Sequence, residues 1–248
     1  MRISRIYTEQ PTLSVGQALK LDKEASNHLS RVLRLNMGHQ VIVFNGDGFD
    51  YLADIIEVER NQVTVHLKDQ TAKNLESPLH IHLLQGVSRG DKMDLTLQKG
   101  VELGIKEFTP ILTERCGVKL DEKRWQKKMQ HWQRVIQSAC EQCGRASIPT
   151  LNPVLTLAEA LEHAGQQTFF LHPDAKQTFK DYQLKSELDT GQPLSLWIGP
   201  EGGFSDLEIE QVESRGIVPI HLGPRVLRTE TASLAAVSAI NALWGDFA

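Results

Sequence analysis

The chain has 248 residues, 40% of them hydrophobic and 23% charged, with a formal net charge of −4. This is the composition of a globular protein with room for one large or two modest domains, and the net charge alone points to no nucleic-acid partner. No apolar run is long enough to span a bilayer, and the start Met1-Arg2-Ile3-Ser4-Arg5 holds no apolar signal segment. Three cysteines (Cys116, Cys140, Cys143) are sparse and odd in number. A cytoplasmic protein with reduced thiols, away from membranes, is the expectation.

Residues 1–70 read as a small β-rich unit. Val41–Phe44, Tyr51–Val58 and Val63–Leu67 are β-branched or alternating runs. Asn45-Gly46-Asp47-Gly48 is a hairpin turn between the first two, and Asn61-Gln62 a weaker one before the third. Only His28–Leu35 reads as helical there. Such strands close most simply as a small barrel. The polar stretch 71–78, ending at Pro78, reads as a linker.

From Leu79 to the end, 79–248, the pattern changes to strand–helix alternation, which marks an α/β architecture. The strands expected are His80–Gln85, Glu107–Leu112, Thr168–Leu171, Leu194–Ile198 and Ile217–Leu222. A helix over Asp91–Leu103 closes at Gly104. Trp125, Met129, Trp132, Ile136, Cys140 and Cys143 step by three and four, the spacing of a long amphipathic helix. Ser205-Asp206-Leu207-Glu208 is a capping box that starts another helix, ended by Gly216. The last helix runs from about Thr231 to Trp244, and Ala232, Ala235, Ala236 and Ala239 give it a surface suited to close packing.

Two loops carry most of the chemistry. Gly199-Pro200-Glu201-Gly202-Gly203 follows the strand ending at Ile198, and Leu222-Gly223-Pro224-Arg225-Val226-Leu227-Arg228 follows the next one. Glycines at strand ends let a ligand approach the backbone, and open α/β sheets bind at the carboxyl ends of their strands. One pocket built mostly of main chain follows. Glu201 would repel a phosphate, and no Walker or G-x-G-x-x-G pattern occurs, so an uncharged adenosine-like ligand suits it better. Charge is uneven as well. Residues 89–145 hold an excess of Lys and Arg, and residues 150–224 an excess of Asp and Glu. A local phosphate-binding face can therefore exist on an acidic protein.

Other motifs compete. Gly86-Val87-Ser88-Arg89-Gly90 has the G-x-S-x-G spacing of a nucleophile elbow, and Asp174 or Asp206 with His221 would complete a hydrolase triad. Cys140 and Cys143 have C-x-x-C spacing, but both fall late in a helix and lack the further ligands of a zinc site. Packing explains them better, and no metal is expected.

The two loops together resemble the RsmE family of 16S rRNA uridine-N3 methyltransferases, in the SPOUT superfamily. His28-Leu29-Ser30-Arg31-Val32-Leu33-Arg34-Leu35, Gln98-Lys99-Gly100-Val101-Glu102-Leu103-Gly104 and Glu141-Gln142-Cys143-Gly144-Arg145 resemble further motifs of that family, in its order. The resemblance implies an N-terminal PUA-like β-barrel and a C-terminal SPOUT-type α/β domain with a trefoil knot. It implies a homodimer, S-adenosylmethionine as methyl donor, and uridine 1498 (RNA numbering) of 16S rRNA, within the small ribosomal subunit, as substrate. Carried over, the cofactor residues would be Leu171, His172 and Pro173, then Ile198, Gly199, Pro200, Glu201, Gly202 and Gly203. Leu222, Gly223, Pro224, Val226, Leu227 and Arg228 complete the set.

Uridine N3 attacks only as its proton leaves, so a base or a cation is needed. Arg228 and Glu230 on the second loop are the candidates, Arg228 for the developing charge and Glu230 to orient it or take the proton. A structural Arg–Glu pair tying the loop to the sheet is the other reading of Arg225, Arg228 and Glu230. Arg5, Arg31, Arg34, Arg89, Lys92 and Arg145 are the candidates for RNA contacts. A serine hydrolase using Ser88, and an RNA-binding protein without catalysis, are the alternatives.

Overall fold

The computed structural model describes residues 3–162, 164, 167–182 and 193–247. The chain divides into two compact units, Met1–Glu76 with Gln137–Ile148, and Ser77–Ile136 with Pro149–Ala248.

The first unit is a five-stranded sheet of β1 (Ser4–Tyr7), β2 (Ala18–Lys20), β3 (Gln40–Phe44), β4 (Phe49–Val58) and β5 (Val63–Ala72), in the order β1-β3-β4-β5-β2. Its inward positions alternate: Tyr51, Ala53 and Ile55 on β4 meet Val63, Val65 and Leu67 on β5. Every strand adds to this one core, together with Ala25 and Leu29 from the short helix α1 (Lys23–Asn27) and the π-helical turn His28–Val32 that continues it. The arrangement is barrel-like, as expected. Asp47 stiffens the β3–β4 turn, accepting from the Phe49 amide at 2.9 Å and the Tyr51 hydroxyl at 2.8 Å. The helical segment starts earlier than His28 because Asp22 caps it, accepting from the Ala25 amide at 2.8 Å. Strands β1 and β2 have no counterpart in the sequence reading: each is too short to show an alternation.

The stretch expected as a linker differs. Strand β5 continues to Ala72, Glu76 bonds Arg145, and Ser77 and Leu79 are buried. The first unit also takes in residues 137–148, a return of chain with no signature in its composition.

The second unit is a parallel sheet of seven strands. β6 (Ile81–Gly86), β7 (Glu107–Leu112), β8 (Thr150–Leu151), β10 (Thr168–Leu171), β11 (Leu194–Ile198) and β12 (Val218–Ile220) run in the order β12-β10-β11-β6-β7-β8, and β9 (Leu155–Thr156) pairs with β7. The helices are α2 (Lys92–Glu102), α3 (Glu122–Cys143), α4 (Leu157–Glu162), α5 (Asp206–Ser214) and α6 (Thr229–Trp244). The last turns of α3 belong to the first unit. Strand β11 is buried along its whole length, which explains why four of its five residues are apolar, Ser195 being the exception. One layer of the core packs Leu84, Phe170, Trp197 and Phe204 with Leu157 and Val212 of α4 and α5. The α5 capping box forms as read, with Glu208 accepting from the Ser205 amide at 2.8 Å. After the outermost strand β12 the chain returns inward to α6, which packs on α2, β6 and β11.

Candidate active site

A cavity of about 750 Å³ opens at the carboxyl ends of β10, β11 and β12, three neighbours in the sheet. Its size falls in the usual range for small-molecule sites. The walls are the loop after each strand: Leu171–Asp174, Ile198–Phe204 and Ile220–Thr229 without Pro224, closed by Ala232 of α6. Every residue expected to hold the cofactor except Pro224 lies on these walls. Arg115, Asp174, Ile220 and His221 also line the cavity, and none of these was assigned to it from the sequence.

The glycine loop is folded tightly on itself. A Cβ at Gly199 would stand 3.0 Å from the Cα of Gly203, and one at Gly202 would stand 2.8 Å from the Cβ of Arg115. Arg115 clamps the loop, donating to the Phe204 carbonyl at 2.9 Å. Glu201 holds it from the other side, accepting from Lys92 Nζ at 2.9 Å and from the Arg89 amide at 3.1 Å. Partial burial pushes the Glu201 carboxyl up, but the Lys92 ammonium and the amide bonds outweigh it and hold it below the usual range. The other two loops brace each other. The His172 amide donates to the Ile220 carbonyl at 3.1 Å, and the His221 amide to the Gln177 carbonyl at 2.9 Å. His221 Nδ1 accepts from the Gly223 amide at 3.1 Å, which uses that imidazole structurally.

These walls fit S-adenosylmethionine. Leu171, Ile198, Leu222 and Leu227 offer apolar contact, and Gly203 and Gly223 leave open space, with no atom within 4 Å of where a Cβ would stand. Thr229 ties two of the loops together, its hydroxyl donating to the Gly199 carbonyl at 2.6 Å.

The expected catalytic pair separates. Arg228 is exposed on the cavity wall. Glu230 is 9% exposed and stands off the wall, with its Oε2 lacking a hydrogen-bond partner. Among the described residues neither Arg225 nor Arg228 forms an ion pair with Glu230, so the structural Arg–Glu pair is absent.

Two of the expected RNA contacts are corrected. Arg5 is buried, its guanidinium donating to the Cys140 carbonyl at 2.6 Å and to Asp50 at 2.5 Å, and stacked over Phe44. Arg145 is 4% exposed and paired with Glu76 at 2.5 and 3.0 Å. Both are internal ties of the first unit, out of reach of a phosphate. Arg31, Arg34 and Arg89 are exposed. Lys92 is half-buried and engaged by Glu201.

Ser88 is no exposed nucleophile: it is 2% exposed and its hydroxyl donates to the Gly86 carbonyl at 3.2 Å. Gly86 serves close packing instead, because a Cβ there would strike the backbone at Pro200. Cys140 is packed, and burial pushes its thiol up to about 12. Among the described residues, no cluster of His, Cys, Asp or Glu is arranged to hold a metal, and no helix is long and apolar enough to cross a membrane.

The parallel sheet with its main-chain cavity and the small barrel-like β unit of the same chain both match families of RNA methyltransferases. The RNA methyltransferase domain family matches residues 75–241, and the RNA methyltransferase PUA domain family matches residues 21–68. Ribosomal RNA small subunit methyltransferase E of Buchnera aphidicola is 37% identical over 99% of this chain and 98% of its own. The corresponding enzyme of Neisseria gonorrhoeae, solved with S-adenosylmethionine, superposes with a TM-score of 0.90 at 35% identity, all of both chains being covered. A Legionella pneumophila protein solved with the same cofactor gives 0.94 at 42% identity, again over all of both chains. The chain belongs to the ribosomal RNA small subunit methyltransferase E family. It is an S-adenosylmethionine-dependent rRNA methyltransferase with a SPOUT-type domain and an N-terminal PUA-like domain.

Proposed function

We propose that the protein methylates N3 of one uridine, uridine 1498 in the RNA's numbering, in the 16S rRNA of the small ribosomal subunit, and acts in the cytoplasm as a homodimer. The observation that carries this reading is the cavity across the ends of β10, β11 and β12, walled by main chain and apolar side chains in a chain of this family.

The donor, when bound, supplies a methyl group already activated by its sulfonium. The protein must hold the acceptor and manage one proton. Thr229 and Ala232 bring the start of α6 to the cavity wall, and Arg228 in the N-cap position makes no side-chain capping bond. The open amide groups of that first turn give the wall a partial positive charge. Arg225 and Arg228 add full charges at the same place. Together they favour the negative charge that grows on the uracil oxygens as the N3 proton departs. Glu230 is the candidate acceptor of that proton: one carboxylate oxygen is unpartnered, and because the residue stands off the cavity wall behind Thr229 it would take the proton through a bridging water.

Arg31 and Arg34 are the RNA contacts favoured on the PUA-like unit. Arg31 borders a groove of about 620 Å³ with Lys23, Glu24, Asn27, His28 and Val32. Arg89 is the favoured contact on the methyltransferase unit. The homodimer reading is supported by half-buried Ala235 and Ala239 on α6, with Leu95, Leu243 and Phe247 exposed.

The test is to incubate the protein with methyl-labelled donor and small subunits lacking the mark, then identify the product nucleoside by mass. Label as 3-methyluridine at a single site is expected. Label on another base, or on a ribose, would overturn the assignment. Glu230→Gln is expected to slow single turnover at neutral pH at least tenfold, and full retention of rate would remove the base role.

A further inference from the structure

One buried side chain stands behind two of the cofactor loops at once. Gln85, at the end of β6, is 2% exposed and does not line the cavity. Its Nε2 donates to the Thr229 hydroxyl at 2.8 Å and to the Gly86 carbonyl at 3.2 Å. Its Oε1 accepts from the Ser233 hydroxyl at 2.5 Å. Ser233 Oγ also lies 2.8 Å from the Thr229 carbonyl, one turn back along α6. Thr229 in turn donates to the Gly199 carbonyl at 2.6 Å.

The bonds run in one direction. The Gln85 amide donates to Thr229, which leaves the threonine hydrogen for Gly199. Gly199 opens the loop after β11, and Thr229 closes the loop after β12 and starts α6. A single carboxamide on β6 therefore fixes the spacing between the two loops. Fully satisfied buried networks of this kind are rigid and hold one arrangement. Turning the amide over would oblige the Thr229 hydroxyl to donate to Gln85, and the Gly199 carbonyl would lose its partner.

We propose that Gln85, held by Ser233, is a positioning residue for methyl transfer: it sets the separation of the Gly199–Gly203 and Leu222–Arg228 loops through Thr229, and so the place of the donor relative to the acceptor. The inference rests on the donor being held in this cavity. Gln85 touches neither donor nor RNA, so its contribution is alignment alone.

The test compares Gln85→Met, Thr229→Val and the double variant, with thermal melting to establish folding. Calorimetry gives donor affinity, and single-turnover rates are measured at saturating donor and small subunits. Gln85→Met is expected to lower the saturated rate at least tenfold, because misplacement by a fraction of an ångström is costly to in-line transfer. The KM for subunits should stay within about twofold, since the RNA face is untouched. The double variant should lose no more than the worse single one, because both break the same chain. A folded Gln85→Met at wild-type rate, or losses that multiply in the double variant, would overturn the proposal while Thr229→Val still weakened donor binding. If Thr229→Val also left donor affinity and rate unchanged, the cavity reading would fail and the proposal with it. Should Gln85→Met not fold, Ser233→Ala carries the same test. It frees one side of the carboxamide, and a loss of about threefold in saturated rate is expected from looser alignment; an unchanged rate would overturn the proposal.

Discussion

Adding one methyl group at Gly86 probes the cavity from behind. A Cβ at this position would meet the Pro200 nitrogen, stand 2.5 Å from its Cδ and 2.7 Å from the Gly199 carbonyl carbon. Carbon atoms pack at about 3.5–4.0 Å, so the glycine loop must retreat by about 1 Å. The retreat is opposed by the Thr229–Gly199 bond and by Arg115 on the Phe204 carbonyl. Overpacking a tight site costs about 1–3 kcal/mol. If that strain is relieved only in the loop conformation that cannot bind, donor Kd rises by about 5- to 150-fold. The transfer rate at saturation should fall by up to about 100-fold, since the methyl group is no longer held in line. Calorimetric titration of Gly86→Ala with S-adenosylmethionine, and single turnover on small subunits, measure the two effects. A folded variant with wild-type affinity and rate would refute the claim that Gly86 is there for close approach of the cofactor loop.

Further outcomes follow from residues away from the cavity. Arg5→Leu leaves the Asp50 carboxylate buried without its guanidinium, so the first unit should lose about 3–5 kcal/mol in urea unfolding while donor affinity is unchanged; an unaltered midpoint would return Arg5 to the surface. Burial holds the His82 imidazole below its ordinary 6.5, against the opposing pull of Glu107. The unfolded chain therefore takes up the proton first, stability is complete above pH 6.5 and declines as pH falls toward the lowered value, and His82→Gln should flatten that part of the profile. Ser88→Ala should keep its transfer rate within about twofold, because the hydrogen bond of its hydroxyl stays within its own turn. The native protein should not react with a fluorophosphonate, and labelling at Ser88 would revive the hydrolase reading.

The cavity was largely legible in the sequence because close backbone approach can be met only by glycine and proline at strand ends, and those residues announce themselves. The strands β10 and β11 were legible for a similar reason: a buried parallel strand is a short, mostly apolar run bounded by turns. The buried arginines were not. A guanidinium reads as a surface charge until its partners are known. Those of Arg5 include the carbonyls of Cys140 and Arg145, 135 and 140 residues away. Backbone acceptors leave no trace in a sequence. The same holds for Gln85, whose partners Thr229 and Ser233 lie 144 and 148 residues on. Arg115 clamps the glycine loop from a segment with no motif of its own. The partner for β1 is likewise invisible locally, since Ser4–Tyr7 pairs in parallel with Val41–Phe44 far along the chain.

The central claim is that the donor lies between the loops after β10, β11 and β12. It is tested most directly by solving this protein with S-adenosylmethionine bound. The account predicts density for the donor inside the cavity, touching Leu171–Pro173, Ile198–Gly203 and Leu222–Arg228, with Thr229 still bonded to the Gly199 carbonyl. Donor density at any other place on the chain would contradict it.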